Sequence, residues 1–287
     1  MKLQLFFLFI ILTMAHSCTN SKQMIRSDFT DEGVFTEGIE GPATDYKGNI
    51  YAVNYGAQGT IGKVAPDGKT SLFLTLPEGS IGNGIRFGNQ DQMFIADYTN
   101  HNVLQVDMNT KKIEVFAHEP KANQPNDIAI APDKTLYASD PNWAEGTGKL
   151  WKVTKEKGFE LLEENMGTTN GVEVSPDGKK LYVNESVQRN VWSYDILADG
   201  TLTNKQLFAS FKAFGMDGMR CDNNGNLFIC RYDKGTVAVV SPQGVLLTEI
   251  QLQGKKPTNI TFSNDYSNCY ITLADRGCIE IIERISI

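Results

Sequence analysis

Asn170-Gly171-Val172-Glu173-Val174-Ser175-Pro176-Asp177-Gly178-Lys179-Lys180-Leu181-Tyr182-Val183-Asn184 is the stretch that decides the fold. It reads as a short strand, a Pro-Asp-Gly turn and a second strand with an aromatic anchor, Tyr182. The second strand recurs as Ile50-Tyr51-Ala52-Val53, Met93-Phe94-Ile95-Ala96, Leu136-Tyr137-Ala138-Ser139, Leu227-Phe228-Ile229-Cys230 and Cys269-Tyr270-Ile271-Thr272. The anchors Tyr51, Phe94, Tyr137, Tyr182, Phe228 and Tyr270 are spaced 43, 43, 45, 46 and 42 residues apart. Six strand-and-turn copies at one period predict an all-β, six-bladed β-propeller with four strands per blade. The sixth copy is short, with seventeen residues after Tyr270. The segment from Asp28 to Glu37, through Gly33-Val34-Phe35-Thr36, is expected to supply the missing outer strand and so cover a sheet edge.

The start of the chain reads as an address. Lys2 precedes an apolar run, Leu3 to Met14, and then Ala15-His16-Ser17-Cys18. This pattern predicts a signal peptide over 1–17, and the run is too short to span a bilayer comfortably. Small residues before Cys18 resemble a bacterial lipoprotein cleavage box, with Ala15 where Leu is usual. An ordinary secreted protein is the alternative. Residues 18–29 would then be a polar tether behind a lipidated Cys18, and 30–287 one propeller domain. The expected location is the bacterial cell envelope, periplasmic or outer-membrane, with contact to the membrane only through the lipid. Cys221, Cys230, Cys269 and Cys278 are open to cross-strand disulfides or to burial as free thiols.

Composition narrows the chemistry. The chain has 287 residues, 41% of them hydrophobic and 21% charged, which excludes a disordered or collagen-like protein. A net charge of −7 with no basic block argues against nucleic acid. No two of His16, His101 and His118 lie at zinc-ligand spacing. The chain has neither a Gly-x-Ser-x-Gly elbow nor a P-loop or dinucleotide fingerprint.

The period also aligns six polar residues: Glu40, Asn83, Asn126, Asn170, Asp217 and Asn259. Each precedes its anchor by eleven residues, or twelve in the fourth copy. Radial repetition gathers them at one mouth of the central channel. Two carboxylates and four amides, without His or thiol, suit a hard cation. Turn capping by Asn and Asp would account for five of the six without a metal, but Glu40 does not fit that account.

Four runs carry a resemblance: Glu40-Gly41-Pro42, Gln124-Pro125-Asn126-Asp127-Ile128, Thr169 to Gly178, and Met216-Asp217-Gly218-Met219. With them the chain resembles the gluconolactonase, senescence-marker-protein and luciferin-regenerating-enzyme family of six-bladed propellers, from about Gly38 onward. The resemblance implies one divalent cation held by Glu40, Asn170 and Asp217 with Asn126 beside it. Ca²⁺ is foremost, with Mg²⁺, Mn²⁺ and Zn²⁺ as alternatives. It also implies a metal-dependent hydrolase that opens a lactone, or less often a phosphotriester, as a monomer acting on a small molecule. Gln124 stands where the family's sugar-lactone hydrolases often carry Arg, which bears on recognition of an aldonolactone.

Asp217 is the first candidate for the base that activates water, and His101 the second, since its turn should emerge on the same face. Candidate substrate contacts are Asn83, Asn126, Gln124, Trp143, Arg231 and Asn259. Trp143 would cover the substrate or pack between blades; Arg231 would orient a negative group or pair with a carboxylate. A non-catalytic propeller binding a glycan or protein partner is the competing reading. It draws on Asp97-Tyr98-Thr99-Asn100-His101-Asn102, which resembles the NHL-repeat motif.

Overall fold

The computed structural model describes residues 24–285 and 287. Six four-stranded antiparallel sheets follow one another around an axis, and no helix occurs among the described residues. Blade 1 comprises Ala43–Thr44, Ile50–Val53, Thr60–Val64 and Thr70–Thr75. Blade 2 runs from Gly82 to His118, blade 3 from Ile128 to Met166, blade 4 from Thr169 to Ser210 and blade 5 from Met219 to Gln251. Blade 6 comprises Pro257–Phe262, Asn268–Leu273 and Cys278–Glu283, with Ile25–Asp28 as its outer strand. The first strand of each blade contacts the first strands of both neighbours, blade 6 with blade 1 included, so these six strands line the channel.

A blade in a ring has a neighbour on each face, so its middle strands bury both faces. Six apolar clusters result, one between each adjacent pair. Each aromatic anchor falls in a different cluster: Tyr51 between blades 1 and 2, Phe94 between 2 and 3, Tyr137 between 3 and 4. Tyr182 lies between blades 4 and 5, Phe228 between 5 and 6, and Tyr270 between 6 and 1. The recurrence in the sequence is therefore the recurrence of one inter-blade contact. Cys221, Cys230, Cys269 and Cys278 are buried free thiols within these clusters.

The ring closes through the N-terminal segment, but with a different stretch from the one expected. Ile25–Asp28 pairs antiparallel with Cys278–Glu283, from Ile25 opposite Glu283 to Asp28 opposite Glu280. This strand falls within the stretch expected to be tether. Gly33–Thr36 crosses the top of the blade instead: Gly33 N–H donates to Arg276 O at 3.0 Å and Phe35 N–H to Gly277 O at 2.9 Å. The reason is length. The exposed edge of Cys278–Glu283 runs the full height of the blade, so its partner must begin upstream to arrive at the top beside blade 1. Phe29 then packs on Tyr270, ring centroids 4.8 Å apart, and Arg276 grips Asp28 in a two-pronged ion pair of 2.6 and 2.7 Å.

Phe29→Ala is expected to lower the unfolding free energy by roughly 1.5–2.5 kcal/mol, half the cost of truncating a fully buried Phe. Leu246→Ala, on the exposed outer strand of blade 5, should change it by less than about 0.5 kcal/mol. Urea denaturation of the two variants checks this contrast.

Candidate metal centre and pocket

The chain enters each inner strand from the top of the ring, and the six aligned residues sit there. Glycine follows four of them because neighbouring chains pass too close for a side chain. A Cβ on Gly218 would lie 1.9 Å from Asn259 Cγ, and one on Gly41, at φ +57°, 2.0 Å from Asn83 O. Backbone bonds cross from blade to blade at this level: Gly84 N–H donates to Asn126 O at 2.9 Å and Gly218 N–H to Thr258 O at 2.6 Å.

Glu40, Asn83, Asn126, Asn170 and Asp217 line one pocket of about 350 Å³ at the channel mouth. The Glu40 carboxylate accepts from its neighbour Gly41 N–H and from Asn259 Nδ2 at 3.0 Å. The Asp217 carboxyl is its neighbour in the same pocket. Burial, followed by the charge on Asp127, pushes Glu40 up to about 7. Burial first, and Glu40 second, hold Asp217 well above the usual carboxylate range. Asn170 offsets that rise in part, and Asn184 Nδ2 donates to Asp217 O at 2.6 Å.

A divalent cation is implied by the family resemblance, and the pocket chemistry fits one. Asn126 Oδ1 and Asn170 Oδ1 are buried and accept no hydrogen bond among the described residues. A buried amide oxygen without a partner is costly. Two such oxygens share a pocket with two carboxylates that repel one another unless a proton or a cation lies between them. The donor set is all oxygen, two charged and two neutral, which matches a hard cation.

Beneath the ring, the channel is filled by charge pairs. Arg86 lies 3.3 Å from Asp127 and 3.5 Å from Glu173, and Arg220 lies 3.7 Å from Glu173. Asp127 accepts from Ile128 N–H at 2.9 Å and Val172 N–H at 3.3 Å, which ties blade 3 to blade 4 under Asn126. Burial pushes Glu173 up to about 7.

Other sequence candidates lie elsewhere. Arg231 is spent structurally: it pairs with Glu249 at 3.1 Å, donates to Ala213 O and stacks 3.7 Å above Phe211. It is therefore not free to orient a substrate group. Asn259 is fully buried and braces Glu40 from behind, its own Oδ1 accepting from Ile260 N–H at 2.9 Å. His101 occupies a left-handed turn position, φ +56°, outside the pocket lining. Gln124 is also outside it, its N–H donating to Asp140 at 2.6 Å. Trp143 does line the pocket and is 44% exposed, so it is not inter-blade packing. Cys18 lies outside the described residues. Glu37 and Ser186 also line the pocket and went unread, because they sit in a crossing and a turn that carry no periodic signal; Thr258 lines it too, in the inner strand of blade 6 one residue before Asn259.

The sequence profile of the SMP-30/gluconolactonase/LRE-like region matches residues 39–275, and the chain belongs to this family of gluconolactonase-like lactone hydrolases. A gluconolactonase from Zymomonas mobilis is 26% identical over 269 residues, covering 81% of this chain and 75% of that protein. A gluconolactonase structure from Xanthomonas campestris superposes with a TM-score of 0.78 at 19% identity, covering 94% of this chain and 93% of that one. A calcium-binding regucalcin from Agrobacterium tumefaciens superposes with a TM-score of 0.76 at 19% identity, over 88% and 93% of the two chains.

Gly218→Ala is expected to displace Asn259 from Glu40 and to destabilise the protein by about 1–3 kcal/mol, measured by thermal melting. The pH dependence has a definite sign. Glu40 and Glu173 bind protons more tightly folded than unfolded, so their contribution is full below about 4.5 and is lost as pH rises through about 7. With chelator present, the melting temperature should fall by roughly 5 °C from about pH 5 to about pH 8.

Proposed function

We propose that the protein is a metal-dependent hydrolase that opens a lactone at the top of the channel. The observation that carries this reading is the pair of unpartnered oxygens, Asn126 Oδ1 and Asn170 Oδ1, in one pocket with Glu40 and Asp217. Those four residues would hold a divalent cation, with Ca²⁺ the best match to an all-oxygen set. When bound, the cation supplies Lewis-acid polarisation of the substrate carbonyl and screens the two carboxylates.

The residues of the chain supply the rest. Asp217 takes the proton of the attacking water as its oxygen bonds to the carbonyl carbon. The ring C–O bond then breaks, and the same proton passes to the departing alkoxide, giving a hydroxy acid. Asn259 and Gly41 N–H fix the Glu40 carboxylate, and Asn184 fixes the Asp217 backbone, so neither group needs to reorganise during reaction. Asn83, whose Nδ2 rests on Asn126 O at 3.2 Å, and Trp143 border the substrate. We also propose export to the bacterial cell envelope as a monomer, lipid-anchored through Cys18. The apolar run after Lys2 and the small residues before Cys18 support the export and the anchor.

Asp217→Asn and Glu40→Gln keep shape and remove charge. Each is expected to reduce kcat on a lactone substrate by a factor of about 10²–10⁴ and to remove its stimulation by added Ca²⁺. Full Ca²⁺-stimulated turnover in either variant contradicts the proposal.

A further inference from the structure

The pocket lining contains three carboxylates, Glu37, Glu40 and Asp217, and no Lys, Arg or His. Lys256 stacks over the Tyr232 ring, 5.8 Å from its centroid, and is not part of the lining. An anionic substrate would therefore meet no positive side chain in the pocket. Some polar groups of the lining are already engaged. Thr258 Oγ1 is committed to Ile39 O at 2.8 Å and Asn83 Nδ2 to Asn126 O. The Asn126 and Asn170 oxygens are assigned to the cation. Glu37, Ser186 and Tyr232 remain in the lining as polar contacts, so the rim decides the substrate class.

The rim is asymmetric. Three large apolar side chains are exposed on the top face among the described residues: Trp143 at 44% on blade 3, Val187 at 54% on blade 4 and Phe214 at 47% in the crossing from blade 4 to blade 5. Their turns touch. Gln188 Nε2 donates to Gly146 O at 3.0 Å, joining the Trp143 and Val187 turns. A Cβ on Gly215, next to Phe214, would lie 3.3 Å from Ser186 Oγ, next to Val187. Trp143 and Ser186 both line the pocket, so the apolar arc is continuous with it. The corresponding turns of blades 6, 1 and 2 expose no large apolar side chain among the described residues.

We propose that the substrate is an uncharged lactone or ester bearing an apolar chain, its ring in the pocket and its chain across Trp143, Val187 and Phe214. The proposal rests on the lactone-hydrolase reading and adds to it the substrate class. It also assigns Val187 and Phe214 as specificity-determining residues.

The test uses the full chain in Ca²⁺ and γ-butyrolactones that are unsubstituted or carry an ethyl, butyl or hexyl group, with an aldonolactone alongside. Specificity should rise about twofold per methylene, half the effect of full burial. The ratio of hexyl to unsubstituted kcat/KM should collapse in the Val187→Ser/Phe214→Ser double variant. Preference for the aldonolactone, no dependence on chain length, or a dependence that survives the double variant would overturn the proposal. Calorimetric binding of the unreactive lactams of the same series separates this from the activity itself. Chain-length-dependent affinity without turnover supports the rim while removing the lactonase reading; chain-independent affinity overturns the rim. Association with phospholipid vesicles that is lost in the double variant, without chain-length dependence in either assay, would assign the arc to a lipid surface instead.

Discussion

Two carboxylates, Glu40 and Asp217, are brought together out of water at the axis of a closed ring, and the site depends on what lies between them. They come from blades on opposite sides of the seam where the chain closes, 177 residues apart in sequence. Ionised together and unscreened, they would repel strongly, because a buried pair lacks the solvent that weakens such repulsion at a surface. A shared proton relieves this at the cost of an acid held far from its ordinary range. A cation relieves it while also satisfying the two amide oxygens beside them. The second solution engages all four groups, whereas the first leaves the two amide oxygens unpaired.

The ring is what enforces that approach. Six apolar clusters between blades hold the inner strands together, and Ile25–Asp28 closes the last sheet without leaving its edge open. The arginine-carboxylate cluster below the ring fills the channel with paired charge, so the polar interior opens upward only where Glu40, Asn126, Asn170 and Asp217 meet. Placing the pocket at the top leaves the turns of each blade free to vary without disturbing the donors. The same scaffold can therefore carry different substrates, and the apolar arc over blades 3 to 5 is a feature of those turns.

Much of this was legible in the sequence because one contact repeats. The anchors from Tyr51 to Tyr270 are periodic since each fills the same inter-blade space, and the polar ring follows from the same period. Residues whose roles depend on non-periodic neighbours were not legible. Arg231 reads equally as a pocket cation or as a carboxylate's partner until Glu249 and Phe211 are seen to occupy it. Asn259 belongs to the ring by spacing, yet the tight passage at Gly218 turns it into a brace for Glu40. The closing strand was misplaced because Gly33-Val34-Phe35-Thr36 looks more strand-like than Ile25-Arg26-Ser27-Asp28, while the height of the sheet edge decides which stretch pairs. The Gly after Glu40, Asn83, Asn170 and Asp217 was an available signal of close chain passage.

The most direct test of the central claim is a crystal structure of the protein grown with Ca²⁺, read for density between the four donors. The account predicts one ion with Glu40, Asn126, Asn170 and Asp217 oxygens each at roughly 2.3–2.6 Å. Density centred elsewhere, or the Asn126 and Asn170 oxygens turned away with the two carboxyls hydrogen-bonded to each other through a shared proton, would contradict it.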